Sequence, residues 1–86
     1  MIDSASRKQQ IREFVKPMAD RVGVRSLSDE DSLTGVGVLN SLAVFRLVSF
    51  LEETFSVTIH DEEIVIENFD SIDKIDHMLA SKVGHG

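Results

Sequence analysis

The chain has 86 residues, 42% hydrophobic and 28% charged, with no cysteine and a formal net charge of −6. These values suit one small globular domain whose core is only just large enough to fold unaided, and they exclude a disulfide framework, a thiolate metal site and a thiol nucleophile of its own. The acidic balance, with no basic residues interleaved with stacking aromatics, argues against nucleic acid as a partner.

No apolar stretch is long enough to cross a membrane, and Met1-Ile2-Asp3-Ser4 lacks the basic-then-apolar layout of a secretory signal. A cytoplasmic monomer without membrane insertion is expected. Charge is unevenly placed: Arg7, Lys8, Arg12, Lys16, Arg21 and Arg25 load the first third, and Asp61, Glu62, Glu63, Glu67, Asp70, Asp73 and Asp76 the last. Such runs ordinarily form solvated helix faces rather than docking patches.

Ile11, Phe14, Val15, Met18 and Val22 recur at helical spacing and predict a first amphipathic helix over about 6–21. Pro17 lies inside it, so a kink or an early end near Lys16 is expected. Over 22–40 the pattern lapses into Ser, Asp, Thr and Gly, with Leu27, Leu33, Val36 and Val38 as apolar anchors of a long ordered loop. A second helix is predicted over about 41–55, with Leu42, Phe45, Val48, Leu51 and Phe55 on one face and Val44, Leu47 and Phe50 beside it. It is apolar around most of its circumference, which suits a central core helix, a helix partly exposed for a partner, or both.

Val57-Thr58-Ile59 reads as an extended connector, followed by a short helix over about 61–66 with Glu62 and Glu63 in its first turn. Asp70 or Ser71 caps a last helix over about 71–83, whose core stripe is Ile72, Ile75, Met78, Leu79 and Val83. Gly84-His85-Gly86 is expected to fray. The expected fold is an all-α, small four-helix bundle of three main helices and one short one, with a long loop between the first two.

Ser41 stands at the start of the second helix, behind Asn40, whose side-chain oxygen is among the best helix caps. Capping leaves other first-turn amides pointing outward, where a phosphate on Ser41 is electrostatically favoured.

Gly37-Val38-Leu39-Asn40-Ser41-Leu42, then Leu47-Val48, Leu51-Glu52-Glu53-Thr54-Phe55, Val57-Thr58-Ile59 and Glu67-Asn68-Phe69-Asp70-Ser71-Ile72 follow one another in an order that resembles the acyl carrier protein family over nearly the whole chain. The resemblance implies a non-catalytic carrier. Ser41, flanked by Asn40 and Leu42 and preceded by Gly37, corresponds to the serine on which a phosphopantetheinyl transferase places a phosphopantetheine arm from coenzyme A. The terminal thiol of that arm holds acyl groups as thioesters for fatty-acid, polyketide or related biosynthesis, so acyl-loading and acyl-processing enzymes are the implied partners. An aminoacyl or peptidyl carrier shares the same serine and fold, and an unmodified helical interaction module is the rival from another class.

Asp31-Ser32-Leu33 spells the family's usual tripeptide literally, but Thr34-Gly35-Val36-Gly37 is a poor helix start, whereas Ser41 opens an uninterrupted helical pattern. The tripeptide is read as a loop anchor buried through Leu33. Asn40 stands in place of the family's usual aspartate, which keeps the cap and loses a carboxylate that helps hold magnesium during arm transfer. Gly37 lies one residue further from Ser41 than is common, which points toward a specialised stand-alone carrier. Arg46 occupies a position that is commonly acidic, leaving Glu52 and Glu53 as the acids of this helix.

Rim charge sets encounter rate and partner choice, so Leu42, Arg46, Glu52 and Glu53 are the expected partner contacts. Leu42 has core packing as an equal alternative. Phe45, Val48, Leu51, Ile59, Ile64 and Met78 are candidate lining for a carried acyl chain. His60-Asp61-Glu62-Glu63 reads as a capping segment rather than a metal site, and Asp70, Asp73, Asp76 and His77 as a solvated face with a cap.

Overall fold

A computed structural model describes the backbone of residues 3–83 and the side chains of residues 3–82. In chain order the elements are α1 (Ser4–Arg21), α2 (Ser41–Phe55), a single 3₁₀ turn (Asp61–Glu63), α3 (Ile66–Phe69) and α4 (Ile72–Val83). The fold is a small all-α bundle, with no strand among the described residues. The expected frayed end at Gly84-His85-Gly86 and the side chain of Val83 lie outside the described residues.

Helix α1 starts at Ser4 because the Asp3 carboxylate accepts the Ser6 amide at 2.9 Å. It runs through Pro17 to Arg21, so the early end expected near Lys16 does not occur. Both Pro17 and Glu13, whose carbonyl loses its usual donor, are exposed, so the carbonyl is not left in the core. The helix closes with a Schellman motif: Val24 N donates to Ala19 O at 2.9 Å and Gly23 N to Asp20 O at 3.2 Å, with Gly23 in the left-handed region. Val22 therefore falls past the helix end and is exposed rather than part of the core stripe.

The core joins Ile11, Val15 and Ala19 of α1 to Leu47, Val48, Leu51 and Phe55 of α2 and to Ile72, Ile75, Met78 and Leu79 of α4. Phe14 of α1 stacks on Phe50 of α2 with ring centroids 4.3 Å apart. Helices α1 and α3 both pack on α4. The charge asymmetry is used across the first of these contacts. Arg7 Nε meets Asp76 Oδ1 at 2.7 Å in a largely buried pair, Ser4 Oγ donates to the other Asp76 oxygen at 2.6 Å, and Lys8 meets Asp73 at 2.8 Å. Asp76 is thus buried and Asp73 half-buried in an ion pair, rather than on the solvated face expected of them, whereas His77 is exposed.

The helix expected over 61–66 is instead split. The Asp61–Glu63 turn ends where Ile64 N returns to Asp61 O, Val65 is extended, and α3 begins only at Ile66. The break lets Phe69 turn fully inward, while Val65 and Ile66 face solvent. The Glu63 carboxylate accepts the His60 amide at 2.9 Å and meets Lys82 Nζ at 2.6 Å, which holds it below the ordinary carboxylate range and ties the turn to the end of α4.

Candidate functional site

Loop 22–40 delivers Ser41 to the surface in a fixed position, and the tripeptide Asp31-Ser32-Leu33 does much of the fixing. Leu33 is fully buried; its amide donates to Asp70 O at 2.7 Å, and its carbonyl accepts from Val38 N at 2.9 Å and Leu39 N at 3.0 Å. The Asp70 carboxylate accepts Thr34 Oγ1 at 2.6 Å, Thr34 N at 3.0 Å and Ser32 Oγ at 3.0 Å. The Thr34 hydroxyl and amide lead in holding Asp70 well below its usual range. Asp70 is therefore the clamp of the loop, and the cap of α4 is Ser71, whose Oγ accepts Lys74 N at 3.0 Å. Arg12 pairs with Asp29 and donates to Leu27 O, pinning the near end of the loop to α1.

Two of the four expected loop anchors, Leu33 and Val38, are buried; Leu27 is half-buried and Val36 is exposed. Gly37 adopts φ +84°, and a Cβ there would meet nothing within 4 Å, so glycine is needed for the left-handed turn and not for space. Buried Val38 and Leu39 follow, and then Asn40, extended at φ −133°, whose side chain accepts the Ala43 amide at 2.9 Å. The cap expected from the sequence is in place.

Ser41 is the first residue of α2 and is exposed, and its hydroxyl has no protein partner among the described residues. The amides of Ser41 and Leu42 likewise have no protein acceptor, as the first turn of a helix requires. Among the described residues no histidine or carboxylate is hydrogen-bonded to the hydroxyl.

Leu42 is 66% exposed and Phe45 61%, which settles Leu42 as a surface residue and removes Phe45 from the core face and from any acyl-lining set. Of that set, Val48, Leu51, Ile59 and Met78 pack in the core and Ile64 is half-buried. The two acids of α2 differ. Glu52 is half-buried and accepts the Ile59 amide at 2.9 Å, holding the Val57-Thr58-Ile59 connector, whereas Glu53 is exposed.

Beside Ser41 an open cleft of about 260 Å³ runs between the end of α1 and the start of α2, lined by Met18, Arg21 and Val22 from one side and by Asn40, Leu42 and Arg46 from the other. Neither Arg21 nor Arg46 meets a carboxylate among the described residues. The contribution of Arg21 and Met18 was hidden in the sequence, where the only sign was that α1 ends at Arg21, just before the Gly23 stop. No group of three metal-type ligands occurs among the described residues, and no described helix is long and apolar enough to cross a membrane.

The chain matches no model of a known protein family, and no curated protein matches it.

Proposed function

We propose that the chain is an acyl carrier in which Ser41 receives a phosphopantetheine arm from coenzyme A and the bundle presents that arm to acyl-loading and acyl-processing enzymes. The observation that carries this reading is the setting of Ser41: an exposed hydroxyl without a protein partner at the start of a capped 15-residue helix. The residues around it fit the group. Two guanidiniums without an acidic partner among the described residues, and first-turn amides without a protein acceptor, suit a phosphodiester, and the apolar residues of the cleft beside them offer a surface for the pantetheine portion.

When attached, the arm supplies the thiol that this cysteine-free chain lacks and holds acyl groups as thioesters. The chain's own part is placement. Asn40 fixes the first turn so that Ser41 Oγ points to solvent, where it forms the new bond to phosphorus as the phosphoanhydride of coenzyme A breaks; the nucleotide portion leaves and the hydroxyl proton passes to a base of the transferase. Arg21 and Arg46 make the approach locally positive in a chain of net charge −6, which favours an anionic donor. Exposed Leu42 and Phe45 supply apolar contact to partner enzymes, and Arg46 directs the choice toward docking faces that are apolar or partly acidic.

Exposure of Leu42 and Phe45 also favours a second reading, an unmodified helical interaction module that docks through the start of α2. Incubating the chain with a broad-specificity phosphopantetheinyl transferase, magnesium and coenzyme A separates the two. The carrier reading expects intact mass to rise by one phosphopantetheine, located on Ser41 by fragmentation and lost in Ser41→Ala. No gain in either the wild type or Asn40→Asp transfers the assignment to the interaction module.

A further inference from the structure

Some cations of this molecule are held in ion pairs, whereas Lys16, Arg25 and Lys74 meet no carboxylate among the described residues. Arg7, Lys8, Arg12 and Lys82 each meet a carboxylate, as expected for a chain with 15 acidic residues and 9 lysines and arginines. In the cleft beside Ser41 two guanidiniums from different helices, Arg21 and Arg46, line one space without an acidic partner among the described residues. Its remaining walls are largely apolar, with Met18, Val22, Val38 and Leu42. Two like charges lining one cleft repel each other, and an oxyanion between them relieves that repulsion through charge-assisted hydrogen bonds. A cleft lined by both apolar side chains and guanidiniums suits a ligand that is part hydrocarbon and part anion.

We infer that this cleft is an anion subsite for what Ser41 carries, with Arg21 and Arg46 holding an oxyanion borne on the arm while the adjoining carbon chain lies on Met18 and Val22. The inference rests on the carrier reading. The oxyanion has two sources on such an arm, the phosphodiester at Ser41 and a carboxylate at the far end of the carried acyl group, and the test tells them apart.

The full chain, labelled for NMR, is prepared in the unmodified form, with the free-thiol arm, and with acetyl and succinyl thioesters on that arm; intact mass verifies each. The side-chain Nε–Hε signals of Arg21 and Arg46 are compared with that of Arg25, which lies outside this cleft. A shift of both on attachment of the arm, alike for all three loaded forms, supports the subsite with the phosphodiester as its anion. A shift confined to the succinyl form supports it with the cargo carboxylate. In either case Arg21→Gln should diminish the shift of Arg46, and Arg46→Gln that of Arg21; both side chains are exposed, so the fold tolerates the changes. Unmoved arginine signals on a chain that mass shows to be loaded, or a shift shared equally by Arg25, overturn the inference and leave the carrier reading intact. No mass gain on either the wild type or Asn40→Asp overturns both.

Discussion

The two ends of α2 are similarly apolar and differently employed. From Leu47 to Phe55 the helix buries Leu47, Val48, Leu51 and Phe55, and it closes its far end with Ser56 in the left-handed region and Glu52 on the following connector. From Ser41 to Arg46 it exposes a hydroxyl, two large apolar side chains and an arginine. One end holds the molecule together and the other faces solvent. A helix rooted in the core at its far end can hold an open first turn in place, which is what the proposed attachment at Ser41 needs.

The largest expected effect lies at the rooted end. Leu51→Ala should destabilise the fold by about 2–5 kcal/mol in denaturant unfolding, because Leu51 is fully buried and a cavity replaces it. Phe45→Ala at the open end serves as its counterpart and should change stability by no more than about 0.5 kcal/mol, despite removing a larger side chain. A large loss in Phe45→Ala would erase the distinction between the two ends.

The next effect tests how the open end is held. Asp70→Ala should cost about 1–3 kcal/mol, since it leaves Thr34 and Ser32 donors without their acceptor. Amide signals of Val38, Leu39 and Ser41 should move with it, because the loop that Asp70 clamps ends at Ser41.

Acid should act through the same clamp. The Asp70 carboxyl is held below its ordinary value of 3.8 by Thr34, and that of Glu63 below 4.5 by Lys82. Stabilisation from a depressed carboxyl is complete above its unfolded value and is lost as pH falls through the folded one. Stability should therefore fall with acidification below that ordinary range, and the fall should be shallower in Asp70→Asn than in the wild type when both are followed by thermal unfolding across pH.

A further, modest loss belongs to the cap. Asn40→Ala should cost about 1 kcal/mol, and Asn40→Asp should keep most of that contribution because the carboxylate also accepts the Ala43 amide. In the transferase assay Asn40→Ala should slow modification of Ser41 by loosening the first turn.

Much of this architecture was legible in the residues. Helical spacing and the Asn40 cap placed the start of α2 at Ser41, and the poor helix start after Ser32 correctly made Asp31-Ser32-Leu33 a buried loop anchor. Both are local facts, decided within a turn or two of chain. The facing of α2 was not legible, since a helix apolar around most of its surface has no single stripe to declare which side is inward; packing against α1 and α4 chose Leu47 and Val48 and left Leu42 and Phe45 outside. The roles of Asp70 and of Asp76 in α4 were hidden for a related reason. Asp76 and Asp70 look like surface residues until Arg7 and Thr34, 69 and 36 positions away, are brought to them.

The sequence by itself determined an all-α bundle, its main helices and one capped, exposed serine, because periodicity, capping and turn chemistry act over short stretches of chain. Only the tertiary structure decided which face of α2 meets solvent, that Asp70 holds the loop, and that Arg21 and Arg46 share one cleft. Each of those depends on groups distant in sequence meeting in space, and no local pattern encodes such a meeting.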